Sequence, residues 1–371
     1  MKQIILISFV LFLFSCENEK SVDSTTKKDS MQTTRSVSAE SFYMDESEVN
    51  SNEYKEFEEW NIDDSIINSN EYKEVVYWVT EEITKTSLVI LGTIQDAGSP
   101  QIGCKKECCK DLFEKPDVTR QVVSLGLVDA ENNKTYLFDA SPDMGKQIKK
   151  LTRLEQNSDK ELVDGIFLTH AHIGHYTGLM FLGKEAMDAK NTPLYVMPKM
   201  KEFLLSNGPW NQLITRKNVV LYELENEKPV QLSDKITVIP ILVPHRDEFS
   251  ETVGYRITGP NKSALYIPDI DKWEKWDKDI IVEIKKVDYA FLDATFYSGK
   301  ELNNRDISEI PHPFIIESIE KFKNLPEKEK SKIIFIHFNH TNPVINNDSE
   351  ETKIVIKNGF RIGRIDEVFE L

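Results

Sequence analysis

Cysteine is scarce: the chain holds four, one at position 16 and three crowded together as Cys104, Cys108 and Cys109. With Cys16 set apart, an odd and tightly spaced trio remains, which excludes a disulfide framework and favours metal binding in an exported protein. Positive charge is also in deficit, with 46 Lys+Arg against 62 Asp+Glu and a formal net charge of −16. Broad nucleic-acid surfaces need clustered cations to displace counterions, so no nucleic-acid partner is expected. Long apolar runs are missing too. Residues 4–14, interrupted only by Ser8, fall short of the roughly 20 residues that a membrane-spanning helix requires.

What is present begins at that short run. Lys2, residues 4–14 and then Ser15-Cys16 have the layout of a signal peptide, and Leu13-Phe14-Ser15-Cys16 resembles a bacterial lipobox. The expectation is a lipoprotein signal over 1–15, acylation of Cys16, and a location in the bacterial cell envelope with the membrane as partner through the lipid anchor. Residues 16–45 carry few large apolar side chains and read as a flexible tether. Residues 46–86 contain a duplication: the stretch from Asn50 to Glu56 recurs from Asn68 to Glu74, and Trp60 matches Trp78. Each copy suits a short helix capped by Ser or Asn. Two copies are too few for a solenoid. The acidity is concentrated before residue 87, since residues 17–86 hold 18 acidic and 7 basic side chains.

From residue 87 onward the pattern becomes that of a folded domain, 87–371. Apolar, β-branched runs at 87–93, 121–128, 135–139, 165–169, 194–197, 235–243, 252–257, 264–267, 289–292 and 332–338 predict strands. Helical periodicity follows Asp143 and recurs over 176–187, 199–206, 275–285 and 313–322. Strands and helices mixed in this way predict an α/β fold, with two sheets sandwiched between helices.

The chemistry concentrates in His170-Ala171-His172-Ile173-Gly174-His175, directly after a predicted strand. In an extended segment i and i+2 share a face, so His170 and His172 can reach one metal while the turn at Gly174 brings His175 alongside. Only seven histidines exist in the chain. His245, Asp269 and His337 each end another predicted strand, and His312 precedes a helix. Strand ends converging on one rim are where α/β folds place their sites.

This segment resembles the HxHxDH signature of the metallo-β-lactamase fold, and His245, Asp269 and His337 fall in that superfamily's order of ligand motifs. The stretches Gly92 to Gly98, Val243 to Gly254, Ile310 to Pro313 and Phe335 to Pro343 resemble the branch that contains pyrroloquinoline quinone biosynthesis protein B. The phosphoribosyl cyclic phosphodiesterase of phosphonate breakdown is a more distant relative. The resemblance implies a four-layer αββα metallo-β-lactamase sandwich. It implies that His170, His172, His245 and Asp269 hold a first metal, and that His175, Asp269 and His337 hold a second. His312 would take the place of a proton donor, Asp139 would brace the site, and Cys104, Cys108, Cys109 and His340 would form a structural zinc site. One position departs from the signature: its Asp is Gly174 here. That substitution removes a ligand and predicts one tightly held metal with a weakened second position.

The expected cofactor is zinc, at one or two catalytic positions and one structural position, with Fe or Mn as alternatives. The expected activity is metal-dependent hydrolysis of an ester, lactone, amide or phosphodiester in a small-molecule substrate, with His312 and Asp269 as catalytic residues. Two alternatives stand beside it. One is an iron-dependent oxidative step of cofactor biosynthesis, and the other is a noncatalytic envelope lipoprotein that keeps the fold for binding. Outside the histidine positions, Trp273 and Trp276 read as packing residues and Asn207 to Trp210 as a turn. Arg246, Asp247 and Glu248 either meet substrate or pair with one another.

Overall fold

A computed structural model describes residues 83–155, 159–302 and 306–371. The signal segment 1–15, Cys16, the tether 16–45 and the duplicated segment up to residue 82 lie outside the described residues.

The first strands are short, apolar and buried on both faces. β1 (Ser87–Gly92) shows why: Leu88 and Ile90 point to one core, Val89 and Leu91 to another. Such alternation without a polar face marks a strand covered on both sides. β2 (Ser124–Asp129), β3 (Lys134–Phe138), β4 (Gly165–Phe167), β5 (Thr192–Val196) and β6 (Val219–Glu223) continue the first sheet. β7 (Val230–Ser233), β8 (Ile236–Leu242), β9 (Val253–Thr258), β10 (Ser263–Ile267), β11 (Tyr289–Asp293), β12 (Ile333–Ile336) and β13 (Arg361–Ile362) make the second. The chain then returns to the first sheet as β14 (Val368–Glu370). The orders are β14-β1-β2-β3-β4-β5-β6 and β13-β12-β11-β10-β9-β8-β7.

Three apolar cores separate four layers. Between the sheets lie Leu88, Leu125, Phe138 and Phe167 from one side and Tyr255, Tyr266, Phe291 and Ile336 from the other. Phe138 stacks on Phe167 at 5.0 Å between centroids, and Phe167 stacks on Tyr195 at 4.2 Å. Outside the first sheet, the helix Met144–Leu154 buries Met144, Ile148 and Leu151, one apolar stripe at helical spacing. Outside the second sheet, Ile280 and Ile284, Ile315 and Phe322, and Val355 from three helices pack on Leu265, Leu292 and Phe335. Trp273 and Trp276 are buried in this outer core, as packing residues.

All ten predicted strands are present. The helices differ in extent. The predicted helix at 176–187 is a single turn, Ile173–Tyr176, followed by a 3-10 segment, Thr177–Leu182. Within that segment Gly178 packs so closely that a side chain there would begin 2.1 Å from the Ser141 carbonyl oxygen. The helix predicted over 275–285 starts only at Ile280, where Asp279 caps it by accepting from the Ile281 amide at 2.8 Å. The turn predicted near 207–210 leads into a further helix, Trp210–Thr215.

Candidate metal centre

Parallel pairing sets the direction of the strand ends. β3 pairs parallel with β4 in the first sheet, and β10, β11 and β12 pair parallel in the second. β3 runs into Asp139, β4 into His170, β10 into Asp269 and β12 into His337, while β11 ends at Asp293. The segment after β1 joins them: Ile94 bridges to both Val122 and Phe338, and the Gln95 amide donates to the Phe338 carbonyl at 2.8 Å.

The histidine segment turns as its sequence suggested. His172 flanks the helical turn, and the His175 amide donates to the His172 carbonyl at 2.9 Å. His170, His172, His245 and Asp269 form one group whose candidate ligand atoms all lie within 4.8 Å of one another. His170 Nε2 is 3.3 Å from Asp269 Oδ2, and His245 Nε2 is 3.2 Å from Asp269 Oδ1. Asp96, His175, Asp269 and His337 form a second such group. Asp96 Oδ1 is 3.1 Å from His175 Nε2 and 3.6 Å from His337 Nε2, and Asp269 Oδ2 is 3.8 Å from each of those nitrogens. Asp269 thus joins both groups through one carboxylate.

Asp139 lies beside the second group. Its carboxylate accepts from the Thr169 amide and hydroxyl, each at 2.8 Å, and lies 2.8 Å from His175 Nδ1. A carboxylate only accepts, so Asp139 keeps a ring proton on Nδ1 and leaves Nε2 as the nitrogen turned towards the cluster. Asp293 does the same work on the opposite sheet: it accepts from the Thr295 amide at 2.9 Å and hydroxyl at 2.7 Å, and stands 2.9 Å from His312 Nδ1. His312 Nδ1 also lies 3.1 Å from Asp269 Oδ1.

The electrostatics follow from carboxylates and imidazoles buried together. Burial and the neighbouring His175 hold His170 well below the usual imidazole range. Burial pulls His175 down as well, but Asp139 and Asp96 outweigh it and lift His175 well above that range. His312 is pushed up to about 10 and His337 to about 9, because Asp293 and Asp269 outweigh their burial. Burial alone would raise Asp269, yet His245, His312 and His337 hold it well below the carboxylate range.

A cation fits this donor set. His175 Nε2, His245 Nε2, His337 Nε2, Asp96 Oδ1 and Asp269 Oδ1 are buried without a hydrogen-bond partner. Orphaned buried polar atoms are costly, and ligation would satisfy these together. Imidazole and carboxylate suit zinc, and equally iron or manganese.

The thiols gather at a separate place. Cys104, Cys108, Cys109 and His340 form a third group. Cys104 Sγ is 3.7 Å from Cys108 Sγ, and His340 Nδ1 is 3.6 Å from Cys108 Sγ and 3.4 Å from Cys109 Sγ. A zinc tetrahedron with Zn–S near 2.3 Å has S···S edges of about 3.8 Å, so the spacing fits a closed Cys3His site. All three cysteines are unpaired by disulfides. Burial and the adjoining thiols push Cys108 up to about 12.

Two residues escaped the sequence reading. Asp96 lies within a stretch already noted for its resemblance, but nothing in its local spacing ties it to histidines 79 and more positions away. Asp293 carried a readable signal, since it ends an apolar strand as Asp139 does. Asp96, which was not among the expected ligands, lies in the group that holds His175, Asp269 and His337. Of Arg246, Asp247 and Glu248, the first and last pair at 3.8 Å, and Glu248 Oε2 also reaches His172 Nε2 at 3.2 Å. Asp247 instead accepts from the Thr252 hydroxyl at 2.9 Å.

Known proteins resemble the chain in the same region. The family description "Beta-lactamase superfamily domain" matches residues 134–338. Coenzyme PQQ synthesis protein B of Acinetobacter baylyi is 24% identical over 287 residues, covering 71% of this chain and 92% of that protein. Zinc-bound PqqB from Methylobacterium extorquens shares the fold with a TM-score of 0.65 at 20% identity, covering 77% of this chain and 100% of that one. A diphosphatase of the PhnP family follows with a TM-score of 0.56 at 23% identity, over 77% and 98% of the two chains. With more than half of its length inside the family match, and with two sheets layered between helices around these ligand groups, the chain belongs to the β-lactamase superfamily and has the metallo-β-lactamase fold.

Proposed function

We propose that this protein is a metal-dependent hydrolase acting on an ester-type bond, carboxylic or phosphoric, in a small molecule. The observation that carries the reading is the convergence of buried, unpartnered imidazole nitrogens and carboxylate oxygens from both sheets. His170, His172, His245 and Asp269 would hold a divalent ion, which when bound lowers the pKa of a water towards ~7 and polarises the oxygen of the scissile bond. Asp139 and Asp293 hold the neighbouring rings of His175 and His312 through Nδ1. His312, whose Nδ1 is 2.9 Å from the Asp293 carboxylate, would deliver a proton to a leaving oxygen. Arg246 and Glu248, both exposed beside His172, would meet the substrate.

The binding-only alternative drew on the carboxylate absent at position 174, and the carboxylate of Asp96 beside His175 and His337 supports the hydrolase reading over it. The test is turnover of generic carboxylic ester, lactone and phosphodiester substrates before and after chelation. Activity should vanish on stripping, return with zinc, and be lost in His245→Ala; activity indifferent to both treatments would refute the proposal.

We also propose that the protein is exported and held in the cell envelope by acylation of Cys16, a reading supported by the apolar run 4–14 and the adjoining Ser15-Cys16. Cys16→Ser should move the protein from the membrane fraction to the soluble fraction. A variant that stays with the membrane would contradict it.

A further inference from the structure

The HxHxDH signature places a carboxylate between its second and third histidines, and here that position is Gly174. The reason is steric. A Cβ built on Gly174 would lie 2.3 Å from Asp96 Oδ1 and 2.7 Å from Asp96 Cα. Both the side chain and the backbone of residue 96 therefore occupy the space that any larger residue at 174 would enter. Flexible side-chain tips can yield, but a backbone held by pairing cannot do so cheaply.

That backbone is held. Ile94 bridges to Val122 and Phe338, the Phe338 amide donates to the Thr93 carbonyl at 2.7 Å, and the Gly98 amide closes a turn on the Gln95 carbonyl at 2.9 Å. Gly98 has φ of +72°, which glycine adopts without strain. Asp96 rides on this turn, next in sequence to a residue bonded to the strand extension that carries His337. Its Oδ1 is buried, lacks a hydrogen-bond partner and stands 3.1 Å from His175 Nε2.

We infer that Asp96 supplies, from the turn after the first strand, the carboxylate that the signature places at position 174, and that Gly174 is kept small to admit it. The second group is then Asp96, His175, His337 and the shared Asp269, a complete donor set for a second divalent ion. Asp96 would be a ligand and Gly174 a positioning residue. This rests on the metal-dependent reading proposed above.

The experiment counts metal. Wild-type protein, Asp96→Ala, Gly174→Ala and Cys109→Ser are dialysed against metal-free buffer after zinc loading, and bound zinc is measured by elemental analysis, with thermal melts to confirm folding. Asp96→Ala should lose one equivalent relative to wild type while melting cooperatively. Gly174→Ala, which deletes no ligand, should lose the same equivalent because it displaces the turn. Should Gly174→Ala fail to fold, Asp96→Ala alone decides. Wild-type zinc content in Asp96→Ala would overturn the inference. A wild type holding only the equivalent lost in Cys109→Ser would instead overturn the metal-dependent reading beneath it.

Discussion

At the scale of single residues, the centre depends on carboxylates that never need to touch a metal. Asp139 and His337 both have left-handed backbones, with φ of +68° and +64°, a conformation that costs non-glycine residues on the order of 1–3 kcal/mol. The strain persists because the surroundings define both positions. The Asp139 amide donates to the Phe167 carbonyl at 2.8 Å, and Thr295 Oγ1 lies 2.8 Å from His337 Nδ1. Replacing Asp139 by Asn keeps the shape but offers the His175 ring a competing amide donor. Zinc affinity at the histidine cluster should fall about 10–100-fold, as read by chelator competition. An unchanged affinity would show that the ring is oriented by something else. His312→Gln tests the proton-donor role separately. It should lower kcat by about 10²–10⁴-fold with little change in KM and no loss of zinc. A loss of zinc with kcat following in proportion would make His312 a ligand instead.

At the scale of elements, the long connection between β1 and β2 is the most exposed to change. Residues 98–120 form turns without helix or strand, and Ile102 and Val118 are exposed there. Long connections of this kind need an external constraint to stay ordered. Cys104, Cys108 and Cys109 would tie this one, through zinc, to His340, which follows β12. Cys109→Ser should therefore lose one zinc equivalent, lower the melting temperature and open residues 98–120 to protease, while the histidine cluster keeps its metal. Resistance to protease equal to wild type would contradict that role. Elements also show what the sequence could and could not convey. The central strands were legible because burial on both faces leaves unbroken apolar runs such as those of β1 and β12. β6 and β7 were not, being edge strands with mixed exposure, and β13 and β14 are too short to leave a pattern. In the site, clustered histidines and strand-end residues were readable. Asp96 was not, because its place follows from a backbone approach to Gly174 that only the folded chain displays.

For the whole molecule, the sheet-to-sheet core and the metal centre are one construction. Phe138 is fully buried, contacts rings of both sheets, and directly precedes Asp139. Phe138→Ala should cost about 3–5 kcal/mol in chemical denaturation, the usual range for deleting a buried aromatic ring. A loss under about 1 kcal/mol would mean that the core between the sheets repacks freely. The same joining of sheets explains why the ligands come from such distant positions. His170 belongs to one sheet's rim, Asp269 and His337 to the other's, and only their packing face to face brings the donors within 4.8 Å. The most direct test of that central claim is anomalous scattering at the zinc absorption edge from crystals of the zinc-loaded protein. Peaks should appear among His170, His172, His245 and Asp269, among Asp96, His175, Asp269 and His337, and at the Cys3His site. A map with density only at the cysteines would contradict the account.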